Sequence, residues 1–584
     1  MEKLVKLTID GVSVEVPEGT SVLEAARKAG VKIPTLCYLK DLNAIGSCRI
    51  CMVDAGARTL QASCVLPVAE GMKVRTNTPA VREARKINLE LLLSNHDRRC
   101  LACSRSQNCE LQQLTKEMGI TDWGAFSGAM NHYEIDDQSP SIVRDNNKCI
   151  LCRRCVAACV KSQAVGVIGA VNRGFATAIE SPWNLPLNDM ACINCGQCIA
   201  ACPTGTLYTK DNTKDVWDLL ADSTKHVLVQ PAPAVRAALG EEFGLPMGTS
   251  VTGKLAAALR RLGFAKVFDT NWGADLTIME EAHELVHRIQ NGGVLPMITS
   301  CSPGWVKYCE HYYQDFIPNM STCKSPHQMA GAMMKSYYAE QAGIDPHDIR
   351  VVSIMPCTAK KFECKRPELG HDGMADVDVV ITTVELARMI KEAGIDFENL
   401  PDEDFDSLLG ESSGAGVIFG ATGGVMEAAL RTACEAITGE KLEKVDFQEV
   451  RGVEGIKEAT LKVGDMTVNV AVANGTANAS RLLDEVRTGK KQYHFIEVMG
   501  CPGGCVTGGG QPIVPASVRM VKDPRVLRAK ALYTEDAGKP QRKSHENPSI
   551  MALYDNYLGK PNGHRAHELL HTHFHPRDKY VQEK

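Results

Sequence analysis

The chain has 584 residues, enough for several domains rather than one core. It is 44% hydrophobic and 23% charged, with a formal net charge of −5, so it is globular and has no basic excess for general nucleic-acid binding. Its 23 cysteines, many in CxxC spacings within so long a chain, point to metal rather than to a disulfide scaffold.

Residues 1–19, MEKLVKLTIDGVSVEVPEG, alternate apolar and polar side chains. That predicts a β-hairpin and lacks the apolar stretch of a signal peptide. No run of about 18 apolar residues occurs, so no membrane span is expected. A thiol-rich chain without an export signal is expected in the reducing cytoplasm.

A helix is predicted over SVLEAARKAG (21–30). A loop then carries Cys37, Cys48 and Cys51, and strands carry Cys64, giving C-x10-C-x2-C-x12-C. Four thiolates suit two irons bridged by two sulfides, with zinc as the plainer alternative. The helical stretch VREARKINLELLLSNH (81–96) ends at His96, and Cys100, Cys103 and Cys109 follow as H-x3-C-x2-C-x5-C. Beside three spaced cysteines, His96 is a candidate ligand rather than an ordinary polar residue.

Cys149, Cys152, Cys155 and Cys159 form C-x2-C-x2-C-x3-C, and Cys192, Cys195, Cys198 and Cys202 repeat it before Pro203. This spacing belongs to two-cluster ferredoxins, in which the fourth cysteine of each run serves the other cluster. Cys149, Cys152, Cys155 and Cys202 would hold one [4Fe–4S] cluster, and Cys192, Cys195, Cys198 and Cys159 the other.

From about residue 220 the texture changes. Apolar runs HVLVQ (226–230), VLPMITS (294–300), VVSIMP (351–356), DVVIT (378–382) and AGVIFGAT (415–422) predict buried strands. Helical patterns over TGKLAAALRRLG (252–263) and TIMEEAHELVHRIQNGG (277–293) alternate with them, as in α/β units. Three motifs place cysteines after strands: ITSCSPGW (298–305), MPCTAKKFE (355–363) and EVMGCPGGCVTGGG (497–510). Crevices of α/β sheets lie at such strand ends. The last segment, from about 525, is polar and histidine-rich and reads as short helices wrapping a surface.

The first cysteine set resembles plant-type ferredoxin domains, with a longer first spacing. His96 and its three cysteines resemble the [4Fe–4S] site shared by iron-only hydrogenases and the large electron-input subunit of respiratory complex I. The three later motifs resemble, in order, the signatures of iron-only hydrogenases, and this resemblance covers nearly the whole chain.

The resemblance implies a multidomain α+β and α/β protein. A β-grasp [2Fe–2S] domain (1–80) would precede a His/Cys3 [4Fe–4S] domain (81–140), a two-[4Fe–4S] ferredoxin domain (141–212), an α/β catalytic domain (213–520) and a helical, small-subunit-like extension (521–584). It implies an H-cluster, a [4Fe–4S] cubane linked to a diiron CO/cyanide/azadithiolate subsite, beside three further [4Fe–4S] clusters and one [2Fe–2S] cluster. Cys357, Cys501 and Cys505 would be ligands, with Cys505 the bridge. Lys360 would hydrogen-bond a cyanide. Met355 and Met499 would pack against the diiron unit, Ala232 and Pro233 would line its cyanide side, and Ser325 would donate a hydrogen bond nearby.

Where the family has two adjacent cysteines, this chain has Cys301 and Ser302. By position Cys301 is the proton donor, and the fourth cubane ligand is Ser302, Cys301 or Cys323. Glu281, Glu284 and Arg288 recur at helical spacing on one face. They resemble the family's proton helix, running outward from Cys301 through Glu281, Ser321, Glu284 and Arg288.

The implied activity is reversible oxidation of dihydrogen. Electrons would pass to ferredoxin or to flavin-containing NAD(P)H-oxidising subunits, in a possible multisubunit complex without nucleic acid or membrane. The alternatives are a hydrogen-sensing or electron-transfer protein, and a complex I- or formate dehydrogenase-like subunit. Cys309, Cys364 and Cys434 have no assigned role.

Overall fold

The computed structural model describes residues 3–580 apart from positions 123, 443 and 465. At the N-terminus, strands Leu4–Ile9 and Val12–Pro17 pair as an antiparallel hairpin from Leu4↔Pro17 to Ile9↔Val12. Lys73–Val74 adds in parallel to the first strand. The helix Val22–Lys28, capped by Ser21, packs its buried Val22, Leu23, Ala25 and Ala26 onto this sheet. The 16-residue helix Pro79–Ser94 follows, with Thr78 as N-cap and proline in its first turn.

Two short helices, Arg154–Ala157 and Gln197–Ala201, sit behind the two CxxCxxC loops. The loops share one backbone design. Leu151 and Arg153 are left-handed in the first (φ 56 and 58), and Asn194 and Gly196 occupy the equivalent positions in the second (φ 57 and 68). Such conformations, costly outside glycine, turn successive amides toward the thiols they enclose. Strand Ile142–Arg144 pairs antiparallel with Leu207–Thr209 and closes the unit.

The body contains two four-stranded sheets. In one, Lys266–Val267, His226–Pro231, Ile349–Met355 and Val379–Thr382 lie side by side, all parallel. In the other, Met297–Ile298, Phe495–Met499 and Met466–Asn474 are parallel, and Ile456–Val463 closes an antiparallel hairpin at the edge. The long helix Thr270–Gln290 packs against the helices Pro326–Met333, Gly414–Ile418 and Gly424–Thr438. Each later cysteine motif leaves the C-terminal end of a parallel strand, so the cysteines converge there.

Two expectations are corrected. The run AGVIFGAT is not a strand: Gly414–Ile418 is a helix whose N-cap, Ser413, accepts from the Ala415 amide. It is buried on every side, so it shows no periodicity. A Cβ on Gly416 would meet the Asn271 carbonyl oxygen at 2.4 Å, so glycine lets two helices touch backbone to backbone. The C-terminal extension is also more than a surface wrap. Helix Pro524–Gly538 buries Arg528, Leu532 and Asp536, and Arg528 donates to the carbonyls of Val506 (2.8 Å) and Pro512 (3.0 Å). It thereby braces the loop that carries Cys501 and Cys505. Among the described residues, no helix is long and apolar enough to cross a membrane.

Candidate iron–sulfur relay and buried active site

Four buried thiols meet in the first domain: Cys37 touches Cys48 and Cys64, and Cys51 touches Cys64. Asn43 ties this loop to the next, donating to the carbonyls of Cys37 (2.8 Å) and Cys152 (3.0 Å). His96 is buried with its Nδ1 unpartnered, and burial pushes its pKa down to about 4. A neutral imidazole is the ligating form. Cys100, Cys103 and Cys109 lie close together, and the group abuts the second CxxCxxC loop. Arg105 donates to the Cys202 carbonyl (3.0 Å), and the Glu110 amide donates to the Pro203 carbonyl (3.0 Å).

Cys149, Cys152, Cys155 and Cys202 line one enclosed space. Cys159 lies beside Cys192, Cys195 and Cys198. The latter group meets the body directly: Thr358 donates to the Asn194 carbonyl (2.7 Å), and a Cβ on Gly509 would meet the Gly196 Cα at 2.5 Å. The clustered thiols thus form an unbroken series from the N-terminal sheet to the two-sheet body.

A cavity lies where the strands of both sheets end. Cys301, Ser302, Cys357, Cys501 and Cys505 line it, with Lys360, Met355, Met499, Ala232 and Pro233. Its wall requires glycine: a Cβ at Gly508 would meet the Pro356 carbonyl oxygen at 2.2 Å, and Gly504 has φ +96. All 23 cysteines are free thiols. Convergent, buried, unpaired thiols beside an apolar cavity are the donor set a cubane cluster needs, so these residues fit the implied group.

The structure separates Cys323 from this cavity. Its thiol instead lies 3.9 Å from Glu284 Oε2. Ser302 Oγ accepts from the Gly500 amide (3.0 Å), so it turns toward the Cys501 loop rather than capping its own helix. Ser325 lies just outside and accepts from Lys360 Nζ (2.7 Å), which also donates to the Cys301 carbonyl (3.2 Å) and pairs with Glu363 (2.8 Å). Burial raises the Glu363 carboxyl, but Lys360 and His327 outweigh it and bring the pKa down to about 2. Glu363 and cavity-lining His327 were not singled out from the sequence. Glu363 is three residues from Lys360 on one turn, a signal that could have found it.

Behind Cys301, the helix Thr270–Gln290 presents Glu281, fully buried with both carboxylate oxygens unpartnered. Burial, and then the nearby Glu284 charge, push Glu281 up to about 8, with Ser321 offsetting part of the rise. Ser321 donates to Glu284 Oε2 (3.1 Å), and Arg288 holds Glu284 Oε1 (2.6 Å). Glu284 and Arg288 are half-buried, so the series runs from the cavity to the surface. Cys309 and Cys364 donate to the carbonyls of Tyr313 and Lys361 and sit in the apolar core, away from the cavity.

Fold and site together define an iron–sulfur oxidoreductase: a string of cysteine-held sites leading to a buried cavity. Comparison with known proteins narrows the class. Residues 225–509 match the family "Iron only hydrogenase large subunit, C-terminal domain" and 522–577 match "Iron hydrogenase small subunit". Residues 2–79 match a 2Fe-2S iron-sulfur cluster binding domain, 85–122 the NADH-ubiquinone oxidoreductase-G iron-sulfur binding region, and 148–206 a 4Fe-4S dicluster domain.

The NADP-reducing hydrogenase subunit HndD of Solidesulfovibrio fructosivorans is 51% identical over 99% of this chain and 100% of its own. Iron hydrogenase 1 of Clostridium pasteurianum is 45% identical over 97% and 99%. Among solved structures, apo [FeFe]-hydrogenase HydA1 from Chlamydomonas reinhardtii aligns with a TM-score of 0.57 at 46% identity, covering 63% of this chain and 99% of that one. The chain belongs to the iron-only hydrogenases: it is an oxidoreductase acting on dihydrogen, with an H-cluster domain preceded by [2Fe–2S] and [4Fe–4S] domains.

Proposed function

We propose that Cys357, Cys501, Cys505 and Ser302 hold the cubane of the H-cluster, with Cys505 shared with the diiron subsite. When bound, that group supplies the open iron site and internal base at which dihydrogen is split heterolytically. The chain supplies the rest. Lys360, steadied by Glu363, presents its ammonium to the cavity. Met355, Met499, Ala232 and Pro233 keep water away. Cys301, freed from ligation by Ser302, moves protons between the cavity and Glu281; Ser321, Glu284 and Arg288 carry them to the surface. A buried carboxyl poised near neutrality is suited to this task.

Four accessory clusters, one [2Fe–2S] and three [4Fe–4S], would carry electrons away in the order the contacts suggest: the Cys159 set, the Cys202 set, then the His96 site and the N-terminal thiols. The full-length likeness to an NADP-reducing hydrogenase subunit favours a flavin-containing NAD(P)-linked partner over free ferredoxin, in a multisubunit assembly. The convergence of three strand-end cysteine motifs with Lys360 on one cavity carries this proposal.

The test is reduction by dihydrogen alone, followed by paramagnetic resonance. All accessory clusters should become reduced in the intact protein. In Cys198→Ala the N-terminal [2Fe–2S] cluster should stay oxidised and give no signal. Its reduction at the normal rate in that variant would refute the series.

A further inference from the structure

The helix Pro303–Tyr312 starts directly after Cys301 and Ser302 and lies against the second CxxCxxC loop. A Cβ on Gly304 would lie 3.6 Å from the Ile193 carbonyl oxygen and 3.7 Å from the Cys195 Cβ. One turn further on, the same helix carries Lys307, only 5% exposed. We propose that Lys307 is the built-in counter-charge of the accessory cluster nearest the cavity, raising the reduction potential of that cluster so that it takes up the electron leaving the cavity. This tuning rests on the [4Fe–4S] cluster assigned above to Cys159, Cys192, Cys195 and Cys198.

Lys307 is a buried cation without a carboxylate of its own. Among the described residues no acidic group lies within ion-pair distance of its Nζ, which sits 4.1 Å from the centre of the Phe362 ring. A ring face offsets only part of the cost of burying an unpaired ammonium. The nearby carboxylate, Glu310, is already taken: Arg577 Nε (2.7 Å) and Arg366 Nη1 (3.2 Å) both donate to its Oε2. Arg366 also pairs with Glu368 (2.6 Å). His311 adds no charge, because burial and then Lys307 push its pKa down to about 4. Three cations thus face two carboxylates, and the surplus positive charge is that of Lys307.

The cluster site completes the pairing. Of the charges around Lys307, that of a Cys192 thiolate acts on it most strongly, and Lys307 is in turn the strongest charge on Cys192. Burial lowers the Lys307 pKa only to about 8, so the ammonium persists at neutral pH. A [4Fe–4S] cluster held by four thiolates is negative, and reduction adds one more negative charge. A fixed cation in low-dielectric surroundings favours the reduced form and so raises the potential.

The neighbouring site differs. There the cation acting on Cys152 is Arg154, and Glu110 neutralises it through two hydrogen bonds (2.8 and 3.0 Å). The two ferredoxin-type sites are alike in backbone and unlike in charge. An electron released in the cavity therefore rests first beside Lys307.

The test is a potentiometric titration of the fully loaded enzyme, followed by paramagnetic resonance, with iron counted in every sample. In Lys307→Met one accessory [4Fe–4S] cluster should bind its electron at least tenfold more weakly, a fall of about 59 mV or more for one electron, while the other clusters keep their potentials. Lys307→Gln should repeat the fall. Lys307→Arg, which keeps the charge, should leave the potential close to its original value.

An unmoved potential in either neutral variant, once loaded, would overturn the counter-charge, as would an equal fall in Lys307→Arg, the mark of a packing role. Loss of this one cluster in both neutral variants, with Lys307→Arg fully loaded, would uphold the counter-charge; its loss in all three would overturn it. The cluster assignment is tested apart: an unaltered protein with fewer than three accessory [4Fe–4S] clusters by iron and resonance counts would sink that assignment whatever the variants do.

Discussion

Replacing Glu281 by glutamine removes one proton-carrying group and little else. The amide has nearly the same shape, and its oxygen can still accept from Ser321, the neighbour that offsets part of the pKa rise. Burial, followed by the Glu284 charge, lifts this carboxyl from 4.5 to about 8, so it is mainly neutral at pH 7. Moving its pKa that far corresponds to an added cost of roughly 4–5 kcal/mol for ionising it in the fold. A raised carboxyl contributes stability that is complete below its unfolded pKa and fades as pH climbs through about 8. The intact protein should therefore lose stability between those limits, and Glu281→Gln should flatten that part of the profile.

Positioned acid–base groups contribute about 10²–10⁴-fold to rate. Hydrogen evolution from reduced viologen should fall within that range in the glutamine variant, with cluster content and infrared spectrum unchanged. Turnover above a tenth of normal, with an unchanged stability profile, would refute both the role and the shifted ionisation.

Three other outcomes are expected. Ser302→Cys should keep the cubane and raise its reduction potential, because an alkoxide donor favours the oxidised irons more than a thiolate does; potentiometric resonance titration reads this, and an unmoved potential removes Ser302 from the ligand set. His96→Cys should lower the potential of its cluster, on the order of 100 mV, since a thiolate adds negative charge where a neutral imidazole stood; no shift would mean His96 is not a ligand. Arg431 is fully buried between Glu427 (2.8 Å) and Asp536 (2.9 Å). Arg431→Ala should therefore cost about 3–5 kcal/mol, read by thermal unfolding, and a loss below about 1 kcal/mol would mean the C-terminal helix is held by packing alone.

What could be read from the sequence follows the range of the interactions. The CxxCxxC runs, the His96 group and the Glu281–Glu284–Arg288 stripe are local spacings, and a local spacing survives in one dimension. The strand before Cys357 and the strand before Cys501 were visible as apolar runs ending in glycine or proline. The hairpin Ile456–Val463/Met466–Asn474 also alternates in sequence, so its period of two is a local signal as well. The helix Gly414–Ile418 reads as a strand in sequence because burial on all sides erases its periodicity.

The partners of Cys323 could not be read at all. His571 lies 249 positions beyond its neighbour Thr322, and only the folded C-terminal segment brings them together. Ser302 is the converse case: the sequence revealed a substitution, but only the shared cavity shows that Ser302 accompanies Cys357, Cys501 and Cys505 while Cys323 does not.

The most direct measurement is an infrared spectrum of the anaerobic protein, produced with its cluster-assembly machinery, before and after exposure to dihydrogen. Iron-bound CO and cyanide bands that shift under the gas are the predicted result, and they would place the H-cluster in a site with serine beside Cys301. A protein full of iron and sulfide but without such bands would contradict the proposed active site.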